Sequence, residues 1–141
     1  MNAPDHRLEA ALAGRQVLIV EDEPFIAFDL ADAIEEAGGI VVGPAMSVKM
    51  ALALVECGNV EAAILDVNLP DGDVGPVIAA LKTKGILLLV HTGAGLTPGL
   101  LAQYPDLRVF AKPTPPPLLA SMVASLLASE ASDSTFSAAR I

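Results

Sequence analysis

The sequence predicts an α/β fold: one open, doubly wound parallel sheet of five strands with helices on both faces. Three observations predict it. Five short, continuous apolar runs recur along the 141 residues, as strands buried on both faces should look. Segments with helical spacing of apolar residues separate them. Helix starts (Ser, Thr, Asp or Pro) and glycine stops fall between the two kinds of segment. Alternating β and α units of this kind close into a parallel sheet through right-handed crossovers.

Each element has its own signal. Strands are expected at about 16–21, 40–43, 61–66, 86–91 and 107–111. Pro24 suits the first turn of a helix that carries Phe25, Ile26, Leu30, Ala33, Ile34 and Ala37 on one face and stops at Gly38-Gly39. Ser47 is the expected N-cap of a second helix ending near Gly58. Asp73 is the expected cap of a third, running to Gly85. Thr97-Pro98 opens a short fourth, and Thr114-Pro115 a fifth, carried by Leu118, Leu119, Met122, Val123, Leu126 and Leu127. These elements make one domain over 15–128, preceded by an N-terminal extension (1–14) and followed by a Ser/Ala-rich flexible tail (129–141). No second domain fits after residue 128.

Composition narrows the function. Hydrophobic residues make up 53% and aromatics only 4%, so the core is aliphatic. The net charge of −9 leaves no basic stripe for nucleic acid. No apolar run approaches the ~20 residues needed to span a bilayer, and 1–14 lacks the charged start and apolar centre of a secretory signal. The single cysteine, Cys57, excludes an internal disulfide. A cytoplasmic protein without membrane or nucleic-acid partners is the expectation. Cys57, Met46, Met50 and Met122 read as apolar fillers, and His91 as a partly buried packing histidine.

Chemistry gathers at the strand ends. Glu21 and Asp22 end the first apolar run, Asp66 the third, Thr92 the fourth and Lys112 the fifth. In open parallel sheets the site lies beyond the carboxyl ends of the strands. Clustered carboxylates raise one another's pKa values unless a cation is present, and an all-oxygen set suits Mg²⁺. Asp66 sits on a buried strand facing a loop, as a carboxylate nucleophile toward phosphorus would. Lys112 is rare at a buried strand end unless its ammonium meets an anion, so it can pair with Asp66 at rest and with a phosphoryl oxygen afterwards. The Thr92 hydroxyl can donate to a phosphoryl oxygen, with Gly93 allowing close backbone approach. Asp71 and Asp73 fit helix caps or loop solvation better than chemistry.

The acidic pair in VEDEP, Asp66 in LDVNLPDG, Thr92 in HTG and Lys112 in AKP, in that order, resemble the receiver domain of two-component response regulators over about residues 15–128. The resemblance implies the flavodoxin-like strand order 2-1-3-4-5. It implies that Asp66 accepts a phosphoryl group from the phosphohistidine of a histidine kinase or histidine phosphotransfer protein. Mg²⁺ would be held by Asp22 and Asp66, by the Asn68 backbone carbonyl, and by Glu21 mainly through a water. Thr92 and Lys112 would hold the phosphoryl oxygens. The output would be changed binding of an unidentified downstream protein, with a homodimer across the switching face left open, and the chain would be a phosphoacceptor rather than an enzyme.

Two departures bear on the switch. Val109 stands where the family often has an aromatic residue, with Phe110 one position later, and the fourth helix is short. The segment resembles a TG-type, alphaproteobacterial single-domain subgroup, in which switching would run through Thr92 and Gly93 rather than a threonine–aromatic rotamer pair. An aspartyl-nucleophile phosphatase is disfavoured because Asn68 stands where its second carboxylate should be. A nucleotide-binding enzyme is disfavoured by the lack of a glycine-rich phosphate loop after the first strand. A receiver-like module without phosphorylation would not need the complete acid, threonine and lysine set.

Overall fold

The computed structural model describes residues 11–139, with side chains through residue 130. Five parallel strands form one sheet: β1 (Gln16–Val20), β2 (Ile40–Ala45), β3 (Ala62–Leu65), β4 (Leu87–Thr92) and β5 (Arg108–Ala111). Their order is β2-β1-β3-β4-β5, and every neighbouring pair is parallel. This is the expected doubly wound topology. Helices α1 (Pro24–Glu36), α2 (Val48–Cys57), α3 (Gly75–Thr83), α4 (Pro98–Gln103) and α5 (Pro116–Ala139) connect or follow the strands.

Strand alternation divides the apolar residues between two layers. Leu18, Val20, Ala63, Leu65, Leu88 and Val90 face one side, against Ala51 and Val55 of α2, Val77, Ile78 and Leu81 of α3, and Leu100 of α4. Val17, Ile19, Ala62, Ile64, Leu87 and Leu89 face the other, against Leu30 and Ile34 of α1 and Leu119, Val123 and Leu127 of α5. Both faces of the central strands are dry, which is why their sequences read as unbroken apolar runs.

Local signals end the helices. At α1, Gly38 has φ +88°, its N–H donates to Glu35 O at 2.9 Å, and Gly39 N–H donates to Ile34 O at 2.9 Å. This Schellman closure needs a left-handed residue that glycine supplies without strain. Gly85, φ +69°, closes α3 the same way, with Ile86 N–H bonded to Leu81 O. Ser47 Oγ accepts from Met50 N–H at 3.1 Å, as expected of an N-cap.

Several expectations need correction. Phe25 is 82% exposed; the buried stripe of α1 is Ala27, Leu30, Ala33 and Ile34, which puts Phe25 off the sheet-facing side. Met46 and Met50 lie on the surface rather than in the core, and Cys57, at the end of α2, is exposed. The N-cap of α3 is Val74, and Asp73 instead accepts from Gly75 N–H at 2.8 Å. The segment expected as an extension holds Leu12, fully buried, with its N–H on Ala37 O at 2.8 Å; residues 1–10 lie outside the described set. Over the expected tail the backbone is helical through Ala139, and 140–141 lie outside the described residues.

Candidate functional site

The carboxyl ends of β1, β3, β4 and β5 lie side by side, because β1, β3, β4 and β5 are consecutive in the sheet. Asp66 N–H donates to Val20 O at 2.8 Å, which extends the β1–β3 ladder by one residue and sets Asp66 beside Glu21. Lys112 N–H donates to Thr92 O at 2.9 Å, extending β4–β5 in the same way. The backbone thus delivers these residues to one edge before any side chain interacts.

The side chains then converge. Lys112 Nζ lies 2.6 Å from Glu21 Oε1 and 3.0 Å from Asp66 Oδ2. The other Asp66 oxygen, Oδ1, accepts from Val67 N–H at 2.7 Å. Glu21 Oε2 accepts from Glu23 N–H at 3.3 Å. The Glu21 side chain is only 2% exposed, against 12% for Asp66 and 17% for Lys112. Asp22 is exposed at the rim. One carboxylate oxygen from each of Glu21, Asp22 and Asp66 lies within 4.8 Å of the others.

The charges explain the titration. Burial pushes the Glu21 carboxyl up to about 7, and the neighbouring Asp66 charge adds to this against the opposing pull of Lys112. Burial alone would lower Lys112, but its hydrogen bonds to Glu21 and Asp66 outweigh that and hold its ammonium above the usual range. Three acids thus face one lysine, and the pocket stays short of positive charge. A hard divalent cation fits these oxygens and would relieve the imbalance. Asn68, two residues after Asp66, is exposed.

Thr92 is 2% exposed, and its Oγ1 accepts from Ala94 N–H at 3.3 Å, tying the hydroxyl to the loop containing Gly93. Of the two residues that the sequence suggested for the switch, Val109 is 41% exposed and Phe110 is half-buried, paired in register with His91. His91 is buried more deeply than expected, at 4% exposure. Its Nε2 accepts a long bond from Thr114 N–H at 3.4 Å, and Nδ1 has no partner among the described residues. Burial, then the Lys112 charge, holds its pKa down. The Asp71 carboxylate is tied to α2 rather than to its own helix, a long-range contact that nothing in the local sequence marks.

No protein-family model matches the chain. The transcriptional regulatory protein PdtaR of Mycobacterium tuberculosis is 37% identical over 92 residues, 63% of this chain; the chain spans 44% of that relative's length. SdrG from Sphingomonas melonis Fr1 is 38% identical, with 82% of this chain and 98% of that one covered at a TM-score of 0.66. A CheY-like response regulator receiver domain protein from Methanospirillum hungatei JF-1 superposes with a TM-score of 0.76 over 86% of this chain and 99% of that one, at 23% identity. With the parallel sheet and the acid and lysine pocket at its carboxyl edge, these likenesses place the chain in the response regulator receiver family of two-component signalling.

Proposed function

We propose that the chain accepts a phosphoryl group on Asp66 from a phosphohistidine of a histidine kinase or histidine phosphotransfer protein, and signals through altered binding of a downstream protein. The observation that carries this reading is the Lys112–Asp66 contact of 3.0 Å inside a ring of carboxylate oxygens from Glu21, Asp22 and Asp66. An ammonium held by the nucleophile at rest is positioned to meet the new dianion after transfer.

Glu21, Asp22, Asp66 and the Asn68 carbonyl would hold Mg²⁺, which would neutralise charge between the anionic carboxylate and the anionic phosphoryl group. In the transfer, an Asp66 carboxylate oxygen bonds to phosphorus as the phosphorus–nitrogen bond breaks. The electron pair leaves with the imidazole nitrogen, and a donor ring protonated at its other nitrogen departs as neutral imidazole. Positioning does most of the work. Asp66 is fixed by its backbone bond to Val20, and its Oδ1 is oriented by Val67 N–H. Thr92 and Lys112 would bind the phosphoryl oxygens, drawing in the loop that carries Gly93. Val109 and Phe110 lie on the strand ending at Lys112 and would relay the change to a partner surface.

Slow hydrolysis of the acyl phosphate would reset the chain, with no turnover of a separate substrate. Among the described residues no helix is long and apolar enough to cross a membrane. Incubation with acetyl phosphate and Mg²⁺, followed by peptide mapping, tests the reading. Wild type should gain one phosphoryl group on Asp66, and Asp66→Asn should gain none while keeping its fold. Stable labelling of Asp66→Asn would reject Asp66 as the acceptor.

A further inference from the structure

The loop after Asp66 is anchored at its far end by an acid with no part in the proposed transfer. Residues 67–74 fold back on themselves: Asn68 pairs with Asp73 and Leu69 with Gly72, antiparallel, and Val74 N–H donates to Val67 O at 3.0 Å. At the tip, Asp71 reaches across to the first turn of α2. Its Oδ1 accepts from Val48 N–H at 2.8 Å and its Oδ2 from Lys49 N–H at 3.0 Å. The next free N–H of that turn, Met50, is taken by Ser47 Oγ. The α2 terminus is therefore capped from two places: by Ser47 from within, and by Asp71 from the hairpin.

Both Asp71 bonds are charge-assisted and lie where the helix dipole favours an anion. They hold the Asp71 carboxyl below its usual range, although the group is exposed. The segment that Asp71 grips also braces the other acid loop, since Glu21 N–H donates to Ala45 O at 2.9 Å. The short stretch 45–49 is thus bonded at one end to the loop of Glu21 and Asp22, and at the other to the hairpin after Asp66.

We propose that Asp71 is a positioning residue for the acid pocket: by clipping the hairpin tip to α2, it fixes where Asp66 and Asn68 stand relative to Glu21 and Asp22, and so sets divalent-cation affinity. This role presupposes that the pocket takes a cation, as proposed above. Asp71 acts through the hairpin, in the way outer groups that orient metal ligands do.

The test is a calorimetric titration of the full chain with Mg²⁺ alone, alongside amide hydrogen exchange without metal. Wild type, Asp71→Asn, Asp71→Ala and Ser47→Ala are compared. Asp71→Ala should weaken Mg²⁺ binding about tenfold, at the low end for outer groups that orient ligands. Asp71→Asn keeps one acceptor oxygen and should fall between wild type and Asp71→Ala. Exchange at the Val74 amide should accelerate in Asp71→Ala. Ser47→Ala removes the other cap of the same turn but leaves the hairpin contact in place, and should weaken Mg²⁺ binding less than Asp71→Ala. Wild-type affinity in Asp71→Ala, unaltered Val74 exchange, or equal weakening in Ser47→Ala would each overturn the clip. A wild type that binds no Mg²⁺ would instead bring down the cation reading, and the clip with it.

Discussion

Strands β3 and β5 lead directly into the two residues that meet at 3.0 Å, Asp66 and Lys112, yet they are held in different ways. All four residues of β3 are buried, with a neighbouring strand on each side. On β5 three of four are exposed, because it is the sheet edge and α4, only six residues long, buries Leu100 alone. The carboxylate therefore stands on a dry, doubly covered strand, and the lysine on an open one. A nucleophile needs a fixed place. A switching surface needs a segment whose rearrangement disrupts little packing.

Core truncation gives the largest expected contrast. Ile64→Ala should destabilise by about 2–5 kcal/mol, whereas Val109→Ala should fall within about 0.5 kcal/mol of wild type. Denaturant unfolding of both variants measures this, and equal costs would break the contrast between the strands.

A second expectation concerns pH and the buried pocket at the end of the covered strands. Glu21 titrates near 7 in the folded chain, above its ordinary 4.5. Between those values the folded state holds a proton that the unfolded state has released. The stability contributed by Glu21 is thus complete below about 4.5 and is lost as pH rises through about 7. Glu21→Gln cannot ionise and should flatten that decline in thermal unfolding across the same range. An unchanged slope would show that Glu21 is not the group responsible.

The smallest effect is expected at the opposite end of the sheet. Arg15 Nη1 and Glu61 Oε2 are 3.0 Å apart, but their side chains are 44% and 36% exposed. Arg15→Ala should cost less than about 1 kcal/mol, and less still at high salt. A larger, salt-independent loss would show that this end of β1 is held by more than packing.

Much of this was legible in the sequence, for identifiable reasons. A strand buried on both faces leaves an unbroken apolar run, so β1, β3 and β4 announce themselves, and the charged residue that ends such a run stands out. That exposed Glu21 and Asp66 as candidates before any coordinates; Lys112 follows β5, an edge strand that is mostly exposed, and is marked by its place after a fifth apolar run rather than by burial. Helix phase was less legible. Phe25, Met46 and Met50 are apolar by composition, but packing against the sheet decides which side of a helix is covered. The grip of Asp71 on α2 joins a hairpin to a helix far upstream, and local sequence identifies a cap without naming the helix it serves. The depth of His91 depends on β5 and α5 closing over it, a tertiary effect invisible in VHTG.

Titration with beryllofluoride and Mg²⁺, followed through backbone amide resonances, tests the central claim most directly, because the adduct mimics an acyl phosphate on a carboxylate. Wild type should show large shifts around 66–68, 92–95 and 112–114, smaller ones along β3, and none of these in Asp66→Asn. No shifts in wild type, or the same shifts in Asp66→Asn, would contradict a phosphoryl site centred on Asp66.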